Sequence, residues 1–140
     1  MKIEKENRSN KKKIESFSKK EWGKFNDENN YHWDENKQTF AAIEKGKVLG
    51  YFYFKINGGA GYLSQLLVAK KSRGKGVGKK MIEKFENILK EKGCHVAYID
   101  TSEKHVGALK FYESLGYKKV ATLKKNKFGF DWYYFEKRLK

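Results

Sequence analysis

A glycine-rich turn between an apolar strand and an amphipathic helix is the feature that most constrains the fold of this chain. The strand is predicted at residues 62–69 and the helix from Val77, and residues 70–76 between them hold two glycines and four Lys or Arg side chains. A turn of this kind directs several free backbone N–H groups at one point, at the positive end of the helix dipole. The sequence therefore predicts an anion-binding site at residues 73–79, called the glycine turn below.

The spacing of the glycines distinguishes three phosphate-binding motifs. A P-loop that ends at Gly78 and Lys79 needs glycine where Arg73 stands, and Ser or Thr directly after Lys79. A dinucleotide-binding fingerprint that starts at Gly74 needs glycine at position 79 and also fails. The pattern Arg-x-x-Gly-x-Gly fits, at Arg73, Gly76 and Gly78.

The other predicted elements place this turn inside a mixed sheet. A helix is expected within residues 10–26, where Ser18 to Glu21 match a capping box. Residues 1–7 can form a short first strand, and residues 27–37 a loop or broken helical turn. The remaining strands are predicted at 39–43, 48–56, 62–69, 96–99, 117–124 and 132–139, with helices at 77–92 and 106–115. This order predicts one α/β domain over residues 1–140, with a mostly antiparallel sheet and a central parallel β-α-β crossover.

Composition limits the class of protein. The net charge is +15, but lysines outnumber arginines 29 to 3, whereas base reading and phosphate clamping favour arginine. Nucleic acid is therefore not the expected partner, although attraction to a phosphate-rich cofactor is expected. The chain has no apolar run of about 20 residues and no apolar leader, and the single Cys94 suits a reducing compartment. We expect a cytoplasmic protein that binds no membrane and, from its His and Cys spacing, no metal.

Two segments of the chain resemble the GNAT superfamily of N-acetyltransferases. The first is the Arg-x-x-Gly-x-Gly pattern of the glycine turn, which matches the superfamily's pyrophosphate-binding signature. The second, one helix and one strand later, follows the superfamily pattern Asn-x-x-Ala-x-x-Phe-Tyr-x-x-x-Gly-Phe, with matches at Ala108, Phe111, Tyr112 and Gly116. His105 stands where asparagine is usual, and Tyr117 replaces the last phenylalanine. The resemblance covers residues 63–117.

The resemblance implies that the chain binds acetyl-CoA and transfers its acetyl group directly to a primary amine. The cofactor would lie where strands 62–69 and 95–100 separate, with backbone groups of Leu66 and Val68 along its pantetheine arm and His105 in place of the usual asparagine. Tyr112 would be the acid for the leaving thiolate. The phosphates would be held by the glycine turn, at Arg73, Gly74, Lys75, Gly76, Gly78 and Lys79.

The sequence leaves the proton acceptor and the amine open. A water chain can accept the proton from the amine, as can Asp100, His95, Glu103, Glu44 or an acid of residues 27–35. The acidic and aromatic segment 21–35 can hold a small cationic amine, and the aromatic hairpin 128–135 can line a groove for a peptide N-terminus. A non-catalytic acetyl-CoA-binding module and a polyanion- or RNA-binding module remain the alternatives from other function classes. Monomer and homodimer are both compatible with the sequence.

Overall fold

The computed structural model describes residues 1–33 and 35–140, which fall into two compact units with a boundary after Trp33. In the first unit, residues 1–7 have no regular structure, and helix α1 spans Lys11–Asn29. The prediction of a first strand at 1–7 is therefore wrong. Four of those seven residues are charged, so the segment has little apolar surface to bury in a sheet.

The bounds of α1 also differ from the prediction. Ser18 lies inside the helix, so the capping-box pattern does not mark its start, and Asn10 is the N-cap residue. The helix continues through residues 27–29 because Asn30 adopts the left-handed conformation, with φ 59° and ψ 38°, and closes the last turn with its backbone N–H. Edge-to-face contacts then join Trp22 to Phe25 and Phe25 to Tyr31 within this unit, each at 5.7 Å between ring centroids.

The second unit is a six-stranded mixed sheet with two helices. The strands are β1 (Asn36–Glu44), β2 (Lys47–Asn57), β3 (Ala60–Val68), β4 (Val96–Ser102), β5 (Lys118–Leu123) and β6 (Trp132–Arg138), and they lie in the order β1-β2-β3-β4-β6-β5. Every neighbouring pair is antiparallel except β3 and β4, which run parallel. Helix α2 (Val77–Glu91) connects that parallel pair, and helix α3 (Val106–Ser114) follows β4. The predicted fold class is confirmed.

Both helices of this unit pack on one face of the sheet. The apolar stripe of α2 is buried through Met81, Ile82, Phe85, Ile88 and Leu89. Alternate residues of β2 meet this stripe, and the rings of Phe54 and Phe85 lie 5.3 Å apart between centroids. The result is a continuous apolar layer beneath α2 and α3.

A glycine sets how closely α2 approaches β3. A Cβ atom added to Gly61 would lie 2.4 Å from two methyl carbons of Leu89, which real side chains do not tolerate. The helix therefore rests on the backbone of β3 itself. At its C-terminal end α2 is followed by Gly93, and the positive φ of this residue, 74°, turns the chain toward β4.

No helix among residues 1–33 and 35–140 has the length and hydropathy needed to cross a membrane.

We predict that Phe85→Ala lowers the free energy of unfolding by about 3–4 kcal/mol, because a fully buried ring leaves a cavity between α2 and β2. Urea denaturation followed by circular dichroism measures this loss. Phe128→Ala is the matched control, since Phe128 is 85% exposed and its truncation should change stability by less than about 0.5 kcal/mol. Equal losses in the two variants would contradict the assigned core.

Candidate active site

The parallel strands at the centre of the sheet stay together over a short length and then separate. Pairing runs from Ala60 to Leu63 on β3 and from Val96 to Ile99 on β4. Directly after Leu63, Ser64 is an extra residue in the β2–β3 register, which forms a β-bulge. Bulges bend the strand that carries them. Beyond the bulge, residues 65–68 of β3 and residues 100–102 of β4 therefore border a gap, called the strand gap below.

The glycine turn lies where β3 leaves the strand gap and α2 begins. Gly74 and Gly76 adopt positive φ angles of 74° and 84°, and a Cβ atom added at either position would meet nothing within 4 Å. Gly76 is the N-cap residue of α2, and its carbonyl accepts the N–H of Lys80 at 3.1 Å. The amides of residues 77–79 precede this bond, so they have no acceptor within the helix. An open, glycine-lined surface thus meets the positive end of a four-turn helix.

Cationic side chains surround this surface. Arg73, Lys75 and Lys79 are exposed, and the first turn of α2 contains no acidic residue. The Nε of Arg73 donates to the backbone carbonyl of Val68 at 3.0 Å, which uses one of the five donors of the guanidinium group. Arg73 is thereby held against the end of β3 while most of its donors remain available to an anion.

Gly78 has a different role from its two neighbours. A Cβ atom at this position would lie 3.1 Å from the Cζ atom of Phe111 and 3.7 Å from a methyl carbon of Val68. Glycine at 78 therefore allows α3 and β3 to approach the first turn of α2. Its expected part in phosphate binding rests on its backbone N–H alone.

Helix α3 begins beside the strand gap, three residues after β4 ends. His105 is its N-cap residue, and its Nδ1 lies 3.3 Å from the hydroxyl of the buried Thr101. The imidazole is exposed and stands at the end of β4 that borders the gap. Leu66 and Val68 lie on the opposite border, with their side chains packed against the apolar layer.

Tyr112 projects from α3 into the apolar layer. Its side chain is 6% exposed, and its ring packs edge-on against Phe111 and Tyr117. Burial disfavours the phenolate and raises the pKa of Tyr112 to about 12. The phenol therefore keeps its proton at neutral pH.

A second group of polar side chains lies on the face of the sheet away from α2 and α3. The hydroxyl of Tyr62 donates a hydrogen bond to Asp100, and the rings of Tyr62 and Tyr98 lie 5.0 Å apart between centroids. Burial, and then the bond to Asp100, raise the pKa of Tyr62 well above its ordinary value. The Nζ of Lys127 lies 3.2 Å from Oδ2 of Asp100, whose side chain is 7% exposed.

The position of Asp100 distinguishes it from the other predicted proton acceptors. It is the first residue of β4 after the pairing with β3 ends, so it lies at the closed end of the strand gap. His95 lies at the opposite end of β4, beside the β2–β3 turn, and the Glu103 carboxylate accepts the backbone N–H of Asp131 at 2.6 Å. Glu44 ends β1 in the hairpin with β2.

The acids of the segment 21–35 are distributed over different parts of the chain. Glu21, Asp27 and Glu28 belong to the first unit, Asp34 lies outside the described residues, and Glu35 pairs with Lys37 at 2.9 Å. In the parts of the chain that the structure describes, no three His, Cys, Asp or Glu side chains group as metal ligands. Cys94 is buried at 1% exposure, and burial raises the pKa of its thiol.

The chain is similar to known acetyltransferases. The family model described as the acetyltransferase (GNAT) family matches residues 7–117. The N-alpha-acetyltransferase MAK3 of Arabidopsis thaliana is 28% identical over 88 residues, covering 60% of this chain and 46% of that protein. The chain spans about half the length of the curated relatives it matches.

Solved structures share the fold. An acetyltransferase from Bacillus cereus has a TM-score of 0.78 at 22% identity, and the match covers 99% of this chain and 97% of that one. An acetyltransferase from Bacillus anthracis, solved in complex with acetyl coenzyme A, has a TM-score of 0.70 at 24% identity, with 79% and 66% covered.

We predict that the buried phenol of Tyr112 makes the protein less stable in alkali. An unfolded tyrosine ionises near pH 10, whereas Tyr112 in the folded state keeps its proton until about pH 12. The stabilisation is complete below pH 10 and is lost as the pH rises toward 12. Between pH 9 and 11 the native protein should therefore lose roughly 1 kcal/mol more free energy of unfolding than Tyr112→Phe.

Urea denaturation of both proteins at the two pH values measures this difference. Phenylalanine keeps the ring, so the core packing is matched, and subtraction removes the titration of the lysines and other tyrosines. Identical pH dependence would mean that water reaches the Tyr112 hydroxyl.

Proposed function

Because the chain belongs to the acetyltransferase (GNAT) family, we propose that it transfers the acetyl group of acetyl-CoA to a primary amine. The observation that carries this proposal is the glycine turn, which opens at the N-terminus of α2 directly beside the strand gap. The glycine turn suits the phosphates of the cofactor, and the strand gap suits its extended pantetheine arm. We further propose that residues 1–140 form one acetyltransferase domain, which acts in the cytoplasm either as a monomer or as a homodimer.

The phosphate end of the cofactor fits the glycine turn. The amides of residues 77–79 can donate to pyrophosphate oxygens, and Gly74 and Gly76 leave the backbone accessible. Arg73, Lys75 and Lys79 add positive charge around the same point. The backbone amides at the N-terminus of α2 and the charged side chains around them would then bind the same pyrophosphate.

The pantetheine arm fits the strand gap. Residues 65–68 of β3 border the gap beyond the last residues that pair with β4. An extended chain with amide groups can pair with such a border as an added strand, with Leu66 and Val68 as its neighbours. A backbone N–H near Leu66 can polarise the thioester carbonyl, and His105 lies at the other side of the gap.

The proton of the amine goes to Asp100 in this mechanism. The acceptor arrives as an ammonium ion and must become neutral before its nitrogen attacks the thioester carbon. Asp100 lies where the strand gap closes, and the hydroxyl of Tyr62 fixes one of its oxygens so that the other can accept a proton. The C–N bond forms, the C–S bond breaks and coenzyme A leaves as a thiolate. The nitrogen loses its second proton to solvent as the amide forms.

Tyr112 stabilises the thiolate by a hydrogen bond. A free thiol has a pKa of about 8.5, so a thiolate is a weaker base than the phenolate of Tyr112. With its pKa near 12, Tyr112 keeps its proton and donates a hydrogen bond to the sulfur. This role is narrower than the full proton donation expected from the resemblance, and the thiolate takes its proton from solvent.

The acceptor in this proposal is a primary ammonium, either of a small cationic amine or of a peptide N-terminus. Two curated relatives named as N-alpha-acetyltransferases, from Arabidopsis thaliana and Schizosaccharomyces pombe, favour the peptide. The aromatic side chains around Asp100, from Tyr62, Tyr98, Trp132 and Tyr134, offer surfaces on which an ammonium ion can rest.

We predict that acetyl-CoA stabilises the native protein but does not stabilise the Gly76→Glu variant. A ligand at a thousand times its dissociation constant adds about 4 kcal/mol, which raises the melting temperature by about ten degrees for a chain of this size. A glutamate at 76 places a carboxylate where the phosphates bind. The measurement is a melting curve with and without saturating acetyl-CoA.

Gly58→Glu is the matched control for this experiment. Gly58 also has a positive φ, of 58°, and open space around its Cα, but it lies in the β2–β3 turn at the other end of β3. Both variants place a glutamate at a positive-φ position with open space around it, so both add backbone strain and the same new charge. Stabilisation that is lost in both, or kept in both, would contradict the phosphate site.

We predict that Asp100→Asn lowers kcat about a hundredfold and Tyr112→Phe about tenfold, with little change in the KM for acetyl-CoA. Each variant keeps the shape of the side chain and removes a group that acts in the chemical step. Release of free thiol, followed with a panel of amines and short peptides, gives the rates. Glu44→Gln is the control because Glu44 lies in the β1–β2 hairpin, and an equal loss there would remove Asp100 from its assigned role.

Absence of turnover with every acceptor, despite stabilisation by acetyl-CoA, would favour a non-catalytic module that binds the cofactor. Indifference to acetyl-CoA, together with salt-sensitive binding of RNA, would favour a polyanion-binding protein.

A further inference from the structure

A lysine of the protein itself already lies at the proposed proton acceptor. The Nζ of Lys127 is 3.2 Å from Oδ2 of Asp100 and 4.0 Å from the centroid of the Trp132 ring. A carboxylate and an aromatic face are the groups that hold an ammonium ion in a binding site. The Lys127 side chain is half-exposed, so the aqueous ion pair alone stabilises the fold little.

The loop that carries Lys127 is built to hold it there. Residues 124–131 connect β5 to β6, and Lys125, Phe128 and Gly129 in it have positive φ angles. Five hydrogen bonds close the loop, among them Trp132 Nε1 to the Lys127 carbonyl at 2.9 Å and the Lys125 amide to Asp131 at 2.9 Å. The indole that contacts the ammonium thus also fixes the backbone of the same residue.

Pairing in the sheet sets where this ammonium lies. Asp100 pairs with Tyr134 on β6, and it directly follows Ile99, the last residue of β4 that pairs with β3. Lys127 therefore reaches back from the loop to the closed end of the strand gap. Among the described residues, it is the lysine whose ammonium contacts Asp100.

We propose that Lys127 is an acetyl acceptor of the enzyme that contains it. The inference rests on the proposed function, because it needs acetyl-CoA in the strand gap and Asp100 as proton acceptor. The ammonium gives one proton to Asp100, the nitrogen lone pair attacks the thioester carbon, and the C–S electron pair leaves with sulfur. The nitrogen loses its second proton to solvent as the amide forms, and the thiolate takes a proton from solvent. The products are acetyl-lysine, coenzyme A and a proton released to solvent.

Acetylation changes the contacts of Lys127. The amide product carries no charge, so the ion pair with Asp100 and the cation–π contact with Trp132 are both lost. Asp100 then becomes available to an ammonium ion that comes from outside the chain. One turnover on Lys127 would thus convert an enzyme that contacts its own lysine into one that is open to its acceptor.

The test is to incubate the full-length protein with acetyl-CoA and to locate added acetyl groups by mass spectrometry. A protease that cleaves after acidic residues keeps Lys124, Lys125 and Lys127 in one peptide, so the three are compared directly. We expect Lys127 to be acetylated at least about tenfold faster than Lys124, because a positioned amine has a high effective concentration. The rate per chain should not depend on protein concentration.

Two variants separate enzymatic from chemical acetylation. Asp100→Asn should lower the rate at Lys127 to that of Lys124, which chemical acetylation alone sets. Lys127→Arg keeps a cation for Asp100 and Trp132 to contact, and the label should then be lost and not move to Lys125. Circular dichroism and melting curves show whether each variant is folded.

The outcomes distinguish this inference from the proposed function. If acetyl-CoA raises the melting temperature and external amines are acetylated, but Lys127 is labelled no faster than Lys124, the self-acetylation is refuted and the proposed function stands. If acetyl-CoA neither binds nor yields free thiol with any amine, both are refuted. Selective label that persists in Asp100→Asn would overturn the transfer of the Lys127 proton to Asp100.

Discussion

The packing of α2 on the sheet is the interaction on which the rest of the second unit depends. Five apolar side chains of this helix are buried, and Gly61 lets it rest on the backbone of β3. Because α2 leaves the end of β3 and returns the chain to the start of β4, the same contact makes these strands parallel neighbours. It also fixes the helix N-terminus, and with it the glycine turn, beside the strand gap.

The alternation of side chains along the strands divides the proposed chemistry between two faces. On one face, Tyr112 is enclosed in the apolar layer beneath α2 and α3, which raises its pKa. On the other face, Tyr62 donates a hydrogen bond to Asp100, which lies two residues beyond Tyr98, the register partner of Tyr62 on β4. The strand gap lies between the two, so cofactor and amine would approach the reacting carbon from different sides.

The sequence predicted the parts of this structure that local patterns encode. The glycine turn, the stripe of α2, and the order and approximate bounds of the six strands between residues 36 and 138 are each visible in a few consecutive residues. Residues 1–7 and the C-terminal end of α1 were predicted wrongly, and the capping-box pattern at Ser18 does not mark the start of the helix. The short charged segment 1–7 has no strand pattern strong enough to interpret. The conformation of these residues depends on which of their backbone N–H and C=O groups form hydrogen bonds.

The parts of the site that could not be predicted all depend on contacts between distant residues. The bulge at Ser64 arises from the register of β3 against β2, and the close contact at Gly78 involves a ring 33 positions away, that of Phe111. The sequence offered Asp100 as one of several acids, and its contact with Lys127 depends on the pairing of β4 with β6. The cofactor site is thus mostly local in sequence, whereas the proposed acceptor side is not.

The short parallel pairing has a mechanical consequence for the whole sheet. Two antiparallel ribbons, β1-β2-β3 and β4-β6-β5, meet along four paired positions, and the helices bridge them on one face. Antiparallel ladders of five to nine paired positions hold each ribbon internally. Hydrogen bonds at the junction should therefore exchange with solvent through a local opening that leaves both ribbons intact. Such an opening is a hinge motion. It lies along the strand gap, where the proposed cofactor would bind as acetyl-CoA and leave as free coenzyme A.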